Sequence, residues 1–292
     1  MELLNLFKEY LESEDKSEKT VKSYIDTLFH FEGWLYEVYS IKDLKIISFR
    51  EIKNYREFLI SKYSPSSVNQ KISAIKVFYR CLAIMDILKE SPAEKIKLQK
   101  IEEHFENQYL TRAQELAILT TAKETDFKTY TLVLLFLKTG LRVSEASNLK
   151  LEDLYLEENP TILIKDSKRH KSRYIPISGD VVHALKKWLV IRGDSQKIYH
   201  IRSNYVFVSQ RAERLSERAI QIILKKIGDK NSIKLYPVRF RASYANNLLQ
   251  NTGIPINILA TLMGHTSIST TQRYAAPSMD DKRKYINKLS EI

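Results

Sequence analysis

Tyr274 closes the stretch GHTSISTTQRY, Gly264 to Tyr274, nine residues after His265 and directly after Arg273. A phenol with a pKa near 10 is a weak nucleophile at neutral pH until nearby cations favour its anion. The chain supplies such cations elsewhere. Arg142 lies in KTGLRVSEASNLKLEDL, Lys138 to Leu154, and Arg241 in RFRASYANNLL, each at the start of a helical pattern. Between them, SKRHK separates two β-patterned runs and reads as a basic hairpin tip. Arginine forks bind two phosphate oxygens at once and stabilise the charge that develops in a pentavalent transition state. A lysine or histidine is also needed to protonate a departing 5′ oxygen. Taken singly, each residue has a plainer reading: Arg142 as a surface partner of Glu145, His265 as a helix cap, and Tyr274 as one of 17 tyrosines. Together they form the set required to attack a phosphodiester without a metal.

The charge distribution points to the same class of partner. The 292 residues carry a formal net charge of +12. Residues 1–108 hold 17 Lys and Arg against 18 Asp and Glu, whereas residues 109–292 hold 30 against 17, so the excess lies in the second part. A surface of that kind neutralises phosphates and releases their counterions, the footprint of a polyanion. Length favours two domains. A hydrophobic fraction of 43% with only 7 Gly and 7 Pro favours compact helical structure over disorder or a turn-rich β fold. The longest apolar run, TLVLLFL from Thr131 to Leu137, is closed by Lys138 and falls far short of the roughly 20 residues that cross a bilayer. It reads as a buried core helix, and no membrane partner is expected. The opening MELLNLFKEYLESEDK lacks the basic region and small-residue site of a secretory signal, and the single Cys81 suits a reducing compartment. The expected location is the cytoplasm, in association with the nucleoid.

The elements that must position these groups follow from periodicity. LLNLFKEYLE, SEKTVKSYIDTLFHFEGWLYEV with Ser17 as its cap, and FREIKNYREFLISKY read as helices. A fourth spans Ser66 to Leu88 and places Val68, Ile72, Ile75, Phe78, Tyr79 and Leu82 on one core face. Charges crowd the stretch from Glu94 to Gln108, which suits a linker. The division is a helical domain over 1–98, a linker over 99–108 and a second domain over 109–292. That domain opens with a helix capped at Thr111, continues through Tyr130 to Lys138 and a helix from near Val143, and then turns to the hairpin TILIKD and SRYIPIS. Helical patterns resume at Asp180 and run through SERAIQIILKKIGDK, RASYANNLLQNTG, PINILATLMGH and SISTTQRYAA, several of them ending at Gly. The fold class is mainly α, in two domains, with one small sheet.

TGLRVSEASNLKLEDL and RASYANNLLQNTGIPINILATLMGHTSISTTQRY, with the helical N-terminal portion, resemble the tyrosine recombinases of the phage-integrase and Xer type. The resemblance covers nearly the whole chain and is most specific in its last segment. It implies Arg142 and Arg241 as the two catalytic arginines, Glu145 as the acid that accompanies the first, His265 as a phosphate partner and Tyr274 as the nucleophile. DSKRHKSRYIPI resembles the family's β-turn, which puts Lys168 at the catalytic lysine, with Lys171 near enough to compete. One position departs from the pattern. Three residues before Arg241, where the family usually carries histidine, stands Val238, which can neither donate nor accept a proton.

The implied chemistry is attack by Tyr274 on the scissile phosphate, giving a 3′-phosphotyrosyl link and a free 5′ hydroxyl, followed by exchange through a Holliday junction. The bond energy is stored, so no metal, ATP or other cofactor is called for. The implied partners are double-stranded recombination sites and three further copies of the chain, two protomers on each of two sites, with room for accessory proteins. The tail from Met279 to Ile292 has helical spacing and is either a helix on its own domain or one that docks on a neighbour. Lys71, Lys76 and Arg80 in the first domain, and Arg169, Arg239 and Arg273 in the second, are candidate DNA contacts. Two other readings use the same residues. Val238 favours an accessory DNA-binding relative, against which stand Tyr274 and both arginines. A type IB topoisomerase shares the chemistry without exchanging partners, against which stand the final box and the compact size.

Overall fold

The computed structural model describes residues 2–101, 109–166 and 171–264. The chain forms two compact units, Met1–His104 and Phe105–Ile292. In the first, α1 (Glu2–Ser13), α2 (Glu18–Tyr39), α3 (Phe49–Lys62) and α4 (Pro65–Ile84) enclose one core. Cap chemistry sets where these helices begin. Ser17 Oγ accepts from the Thr20 amide at 3.2 Å, and Ser48 and Glu51 form a reciprocal capping box. Pro65 occupies the first turn of α4, where its missing N–H costs nothing. The six residues expected on the core face of α4 are all buried, and the Tyr79 hydroxyl donates to the Leu44 carbonyl at 3.1 Å.

Two expectations for this unit need correction. The periodic pattern predicts helix to Leu88, but α4 stops at Ile84, with Asp86 in the left-handed region at φ 55°. Ile87 and Leu88 still pack against the core, so the apolar pattern continues past the point where the backbone turns. The charge-dense stretch from Glu94 is also ordered as far as Gln99. Ala93 and Ile96 are buried, Arg56 Nε donates to the Lys97 carbonyl at 2.9 Å, and Lys76 Nζ donates to the carbonyls of Glu94 and Ile96. Asn69 accepts from the Gln99 amide at 2.7 Å and donates to the Gln99 carbonyl at 2.9 Å.

The second unit is built around α6 (Phe127–Thr139), whose residues Leu132 to Leu137 are all buried. A helix apolar on every side belongs in the centre. α5 (Arg112–Thr125), α8 (Gly179–Gly193) and α11 (Pro237–Thr252) pack around it. The cap expected at Thr111 is present as a box with Gln114, and α6 begins three residues earlier than its pattern suggests because Asp126 caps it. α7 (Val143–Asn148), α9 (Ile198–Arg202), α10 (Glu217–Lys230) and α12 (Ile256–Met263) complete the helices among the described residues. The hairpin is β2 (Thr161–Asp166) against β3 (Lys171–Pro176), extended by β1 (Leu154–Tyr155) into an antiparallel sheet of order β1-β2-β3. β1 and α9 are too short to show a period in the sequence. The helical reading of SISTTQRYAA and the tail 279–292 lie outside the described residues. No helix among the described residues is long and apolar enough to cross a membrane.

The Asn69–Gln99 pair fastens the segment after Ala93 to α4. Replacing Asn69 with Ala removes both bonds and is expected to lower stability by about 1–3 kcal/mol in urea unfolding. Hydrogen exchange at the Gln99 amide is expected to accelerate by about tenfold or more, and unchanged exchange would show that the Arg56 and Lys76 bonds and the buried Ala93 and Ile96 hold the segment without Asn69.

Candidate active site

Arg142 is placed by the turn that precedes it. α6 ends at Gly140, in the left-handed conformation at φ 60°, with its amide bonded to the Phe136 carbonyl at 3.0 Å. A side chain there is excluded twice over, because a Cβ would also lie 2.5 Å from the Tyr244 ring. Leu141 and Leu149 are buried on either side of α7, and Arg142 caps its N-terminus. The Arg142 amide donates to Glu145 Oε2 at 2.8 Å, and its Nη1 donates to Glu145 Oε1 at 2.8 Å. Surface pairing and a role in the site were alternatives in the sequence, yet here the pair is what aims the guanidinium. Arg142 Nη2 reaches across to the Gly264 carbonyl at 3.0 Å.

Two more arginines converge on the same place. Arg241, on α11 and 6% exposed, donates to the Gly140 carbonyl at 2.6 Å and to the Met263 carbonyl. Arg173, on β3, donates from Nε to the Leu262 carbonyl at 2.9 Å and from both Nη atoms to Glu145, each at 3.0 Å. Three consecutive carbonyls at the end of α12 thus accept from three different arginines. The last carbonyls of any helix lack partners and carry partial negative charge, so cations are the natural caps. Gly264, at φ 61°, admits this crowding, since a Cβ there would stand 2.6 Å from Arg173 Nη1. The next residue in the chain is His265.

The electrostatics follow from this packing. Burial alone would raise the Glu145 pKa, but the hydrogen bond and charge of Arg173, then those of Arg142, outweigh it and hold the carboxyl below its ordinary range. Tyr244 shows the opposite balance. Burial raises its pKa, and the fields of Arg241 and Arg173 oppose that rise without overcoming it. This phenol stays protonated and serves as packing against Gly140. The three guanidiniums and one carboxylate sum to two positive charges in one small volume.

Of the residues expected from sequence, the structure brings Arg142, Glu145 and Arg241 together. Lys168, Arg169, His265, Arg273 and Tyr274, and the side chain of Lys171, lie outside the described residues. Val238 is 58% exposed on the first turn of α11. Arg239 points to the Lys234 carbonyl at 2.9 Å. In the first unit, Lys76 is bound to carbonyls as above and Arg80 pairs with Glu94 at 3.8 Å. Lys71 lies over the Tyr63 ring and shares a groove with Lys19, Lys22, His30 and Gln70. Sequence reasoning missed Arg173. The signal was present, because Arg173 stands two residues before buried Ile175 and therefore on the inward face of its strand.

Comparison with known proteins gives a consistent result. Residues 108–281 match the model of the phage integrase family, and residues 4–84 match that of the phage integrase N-terminal SAM-like domain. The chain is 31% identical to the tyrosine recombinase XerA of Pyrococcus horikoshii, covering 100% of this chain and 94% of that protein. It is 34% identical to XerA of Pyrococcus furiosus, covering 94% and 88%. Among solved structures it is similar to an XerA recombinase, with a TM-score of 0.55, 27% identity and coverage of 99% and 98%. The Tn1549 transposon integrase shares its fold, with a TM-score of 0.78, 18% identity and coverage of 99% of each chain.

Glu145→Gln removes the anion that pairs with Arg142 and Arg173 among the described residues and is expected to cost about 3 kcal/mol at neutral pH. Because the folded-state pKa is depressed, the advantage of wild type is full above the ordinary value of 4.5 and is lost as pH falls through the folded pKa. Denaturant unfolding of both proteins from pH 7 to pH 3 checks this. A constant difference across that range would show that charge is not its source.

Proposed function

This chain belongs to the phage integrase family, and from that premise we propose that it is a site-specific DNA recombinase working through a 3′-phosphotyrosyl intermediate, with Tyr274 as nucleophile. The observation that carries this reading is the meeting of Arg142, Arg173 and Arg241 on the end of α12, directly before His265. The guanidiniums supply positive charge where a phosphate gains negative charge, held in place before the reaction begins.

The Tyr274 hydroxyl gives its proton to water as its oxygen attacks phosphorus, and the bond from phosphorus to the 5′ oxygen breaks. Lys168, with Lys171 as the competing candidate, gives a proton to the departing oxygen. A 5′ hydroxyl from the second DNA then reverses these steps, and the tyrosine leaves. Arg142 and Arg241 bind the non-bridging oxygens, and His265 supports them. Arg142 is suited to this, since among the described residues its guanidinium contacts engage two of five N–H groups and its side chain is 41% exposed. Val238 supplies no proton at its position, which places more of the stabilisation on the arginines.

Residues 1–98 and 109–292 would act as two arms on the duplex, joined by 99–108. In the first arm the groove of Lys19, Lys22 and Lys71 between α2 and α4 favours a backbone contact there. Lys76 and Arg80 are tied to Glu94 and Ile96 instead. Two protomers on each of two sites give a tetramer, for which the tail 279–292 is the docking candidate. The place of action would be the cytoplasm, where DNA is accessible, with accessory proteins as further partners.

Covalent trapping tests the chemistry. Nicked suicide duplexes incubated with wild type are expected to give a DNA-linked band on a denaturing gel, and Tyr274→Phe none. A band that persists in Tyr274→Phe would refute this nucleophile. The groove is tested by salt: Lys22→Ala or Lys71→Ala should each weaken binding on all sequences alike and reduce the log–log salt slope by about 1. An unchanged slope in both would remove this face from the DNA interface.

A further inference from the structure

We infer that Arg173 is a positioning residue whose charge frees Arg142: by neutralising Glu145, it lets that carboxylate aim Arg142 without cancelling it. The inference rests on the proposed reaction and gives Arg173 a task different from that of the two arginines that bind the phosphate.

Geometry separates the roles of the two arginines. Arg173 is 14% exposed, and its Nε and both Nη atoms are engaged with Leu262 and Glu145. A fork filled in this way has its recognition edge turned to protein. Arg142, at 41% exposure, meets Glu145 through one Nη and its own backbone amide. The carboxylate therefore orients Arg142 from below while pairing with Arg173 from the side.

Charge arithmetic gives the pairing its purpose. Arg142 with Glu145 alone would sum to zero, and a phosphate approaching a neutral pair gains little. With Arg173 the three side chains sum to one positive charge, and the arginine left open to solvent is Arg142. Carboxylate aiming and cationic binding are then compatible, at the cost of a third, largely enclosed guanidinium. β3 is a rigid place to hold it, because Arg173 stands opposite Ile164 in the paired register and two residues before buried Ile175.

The test compares rates of covalent adduct formation on nicked suicide duplexes, with noncovalent binding to intact duplex as the control. Arg173→Gln is expected to slow adduct formation roughly a hundredfold, the scale of losing one preorganised donor, with duplex binding retained. Adding Glu145→Gln restores the charge sum, so the double variant should recover about tenfold or more over Arg173→Gln. A duplex with a neutral methylphosphonate at the scissile position needs less cationic stabilisation, so on it the defect of Arg173→Gln should shrink, as that of Arg142→Ala should. Arg173→Lys keeps the charge and loses the fork, and it should fall between wild type and Arg173→Gln.

Full activity of Arg173→Gln would overturn the inference. So would a defect equal on both linkages and unrelieved by Glu145→Gln, which would mark Arg173 as scaffold only. Should Arg173→Gln fail to fold, Arg173→Lys decides: a folded Arg173→Lys as slow as Arg142→Ala would refute charge balance. Failure of the underlying reaction looks different, since wild type itself would then form no adduct, or Tyr274→Phe would form one.

Discussion

The end of α12 is a row of carbonyls that must find donors, and everything about the candidate site depends on which donors they find. Leu262, Met263 and Gly264 accept from Arg173, Arg241 and Arg142 respectively. Those arginines come from β3, α11 and the start of α7, elements far apart in sequence. One helix end thereby fixes three guanidiniums relative to one another. Folding and site assembly are the same event at this point. The glycine that ends the helix is favoured by its positive φ, and a Cβ there would push the Arg173 guanidinium out of its place.

Holding so much positive charge together is costly, and the structure shows what offsets it. Arg241 is nearly buried, where an unpaired cation would be strongly unfavourable, but its fork lies on the carbonyls of Gly140 and Met263. Glu145 supplies the only full negative charge among the described contacts of Arg142 and Arg173. Behind the cluster, α6 and its neighbours form a close-packed core, so the arginines cannot relax apart without disturbing Gly140 and Tyr244. Rigid placement of like charges is what a developing phosphate charge requires, and a mobile surface would lose that advantage to water.

Sequence reasoning reached the parts of this that are local. Ser17 and Thr111 cap helices as read, because a cap is an interaction over three residues. The core face of α4 and the central helix α6 follow from spacing alone. The end of α4 did not, since Ile87 and Leu88 keep the apolar pattern after the backbone has turned. Arg142 was legible as an arginine at a helix start, whereas Arg241 lies one turn inside α11, which begins at Pro237. Arg173 was hidden among the basic residues of the hairpin, and only its strand parity with Ile175 marks it as inward. Its partners, Glu145 and Leu262, lie 28 and 89 positions away, a relation that no local pattern encodes.

The first unit teaches the same lesson about charge. Its sequence half sums to −1, which argues weakly against a polyanion partner. Sums ignore where charges sit. Lys76 and Arg80, on the face that looked most basic in α4, meet the carbonyls and carboxylate of the chain returning past Glu94. Lys71 instead joins Lys19 and Lys22 across the groove between α2 and α4, with Tyr63 and Gln70 beside them. A phosphate backbone responds to potential within a Debye length of roughly 8 Å, so three lysines in one groove, with Asp26 as the acid among them, weigh more than acids elsewhere in the unit. Net charge over a domain is therefore a poor guide to where its cations gather, because the packing of one returning segment decides which of them meet carbonyls and a carboxylate.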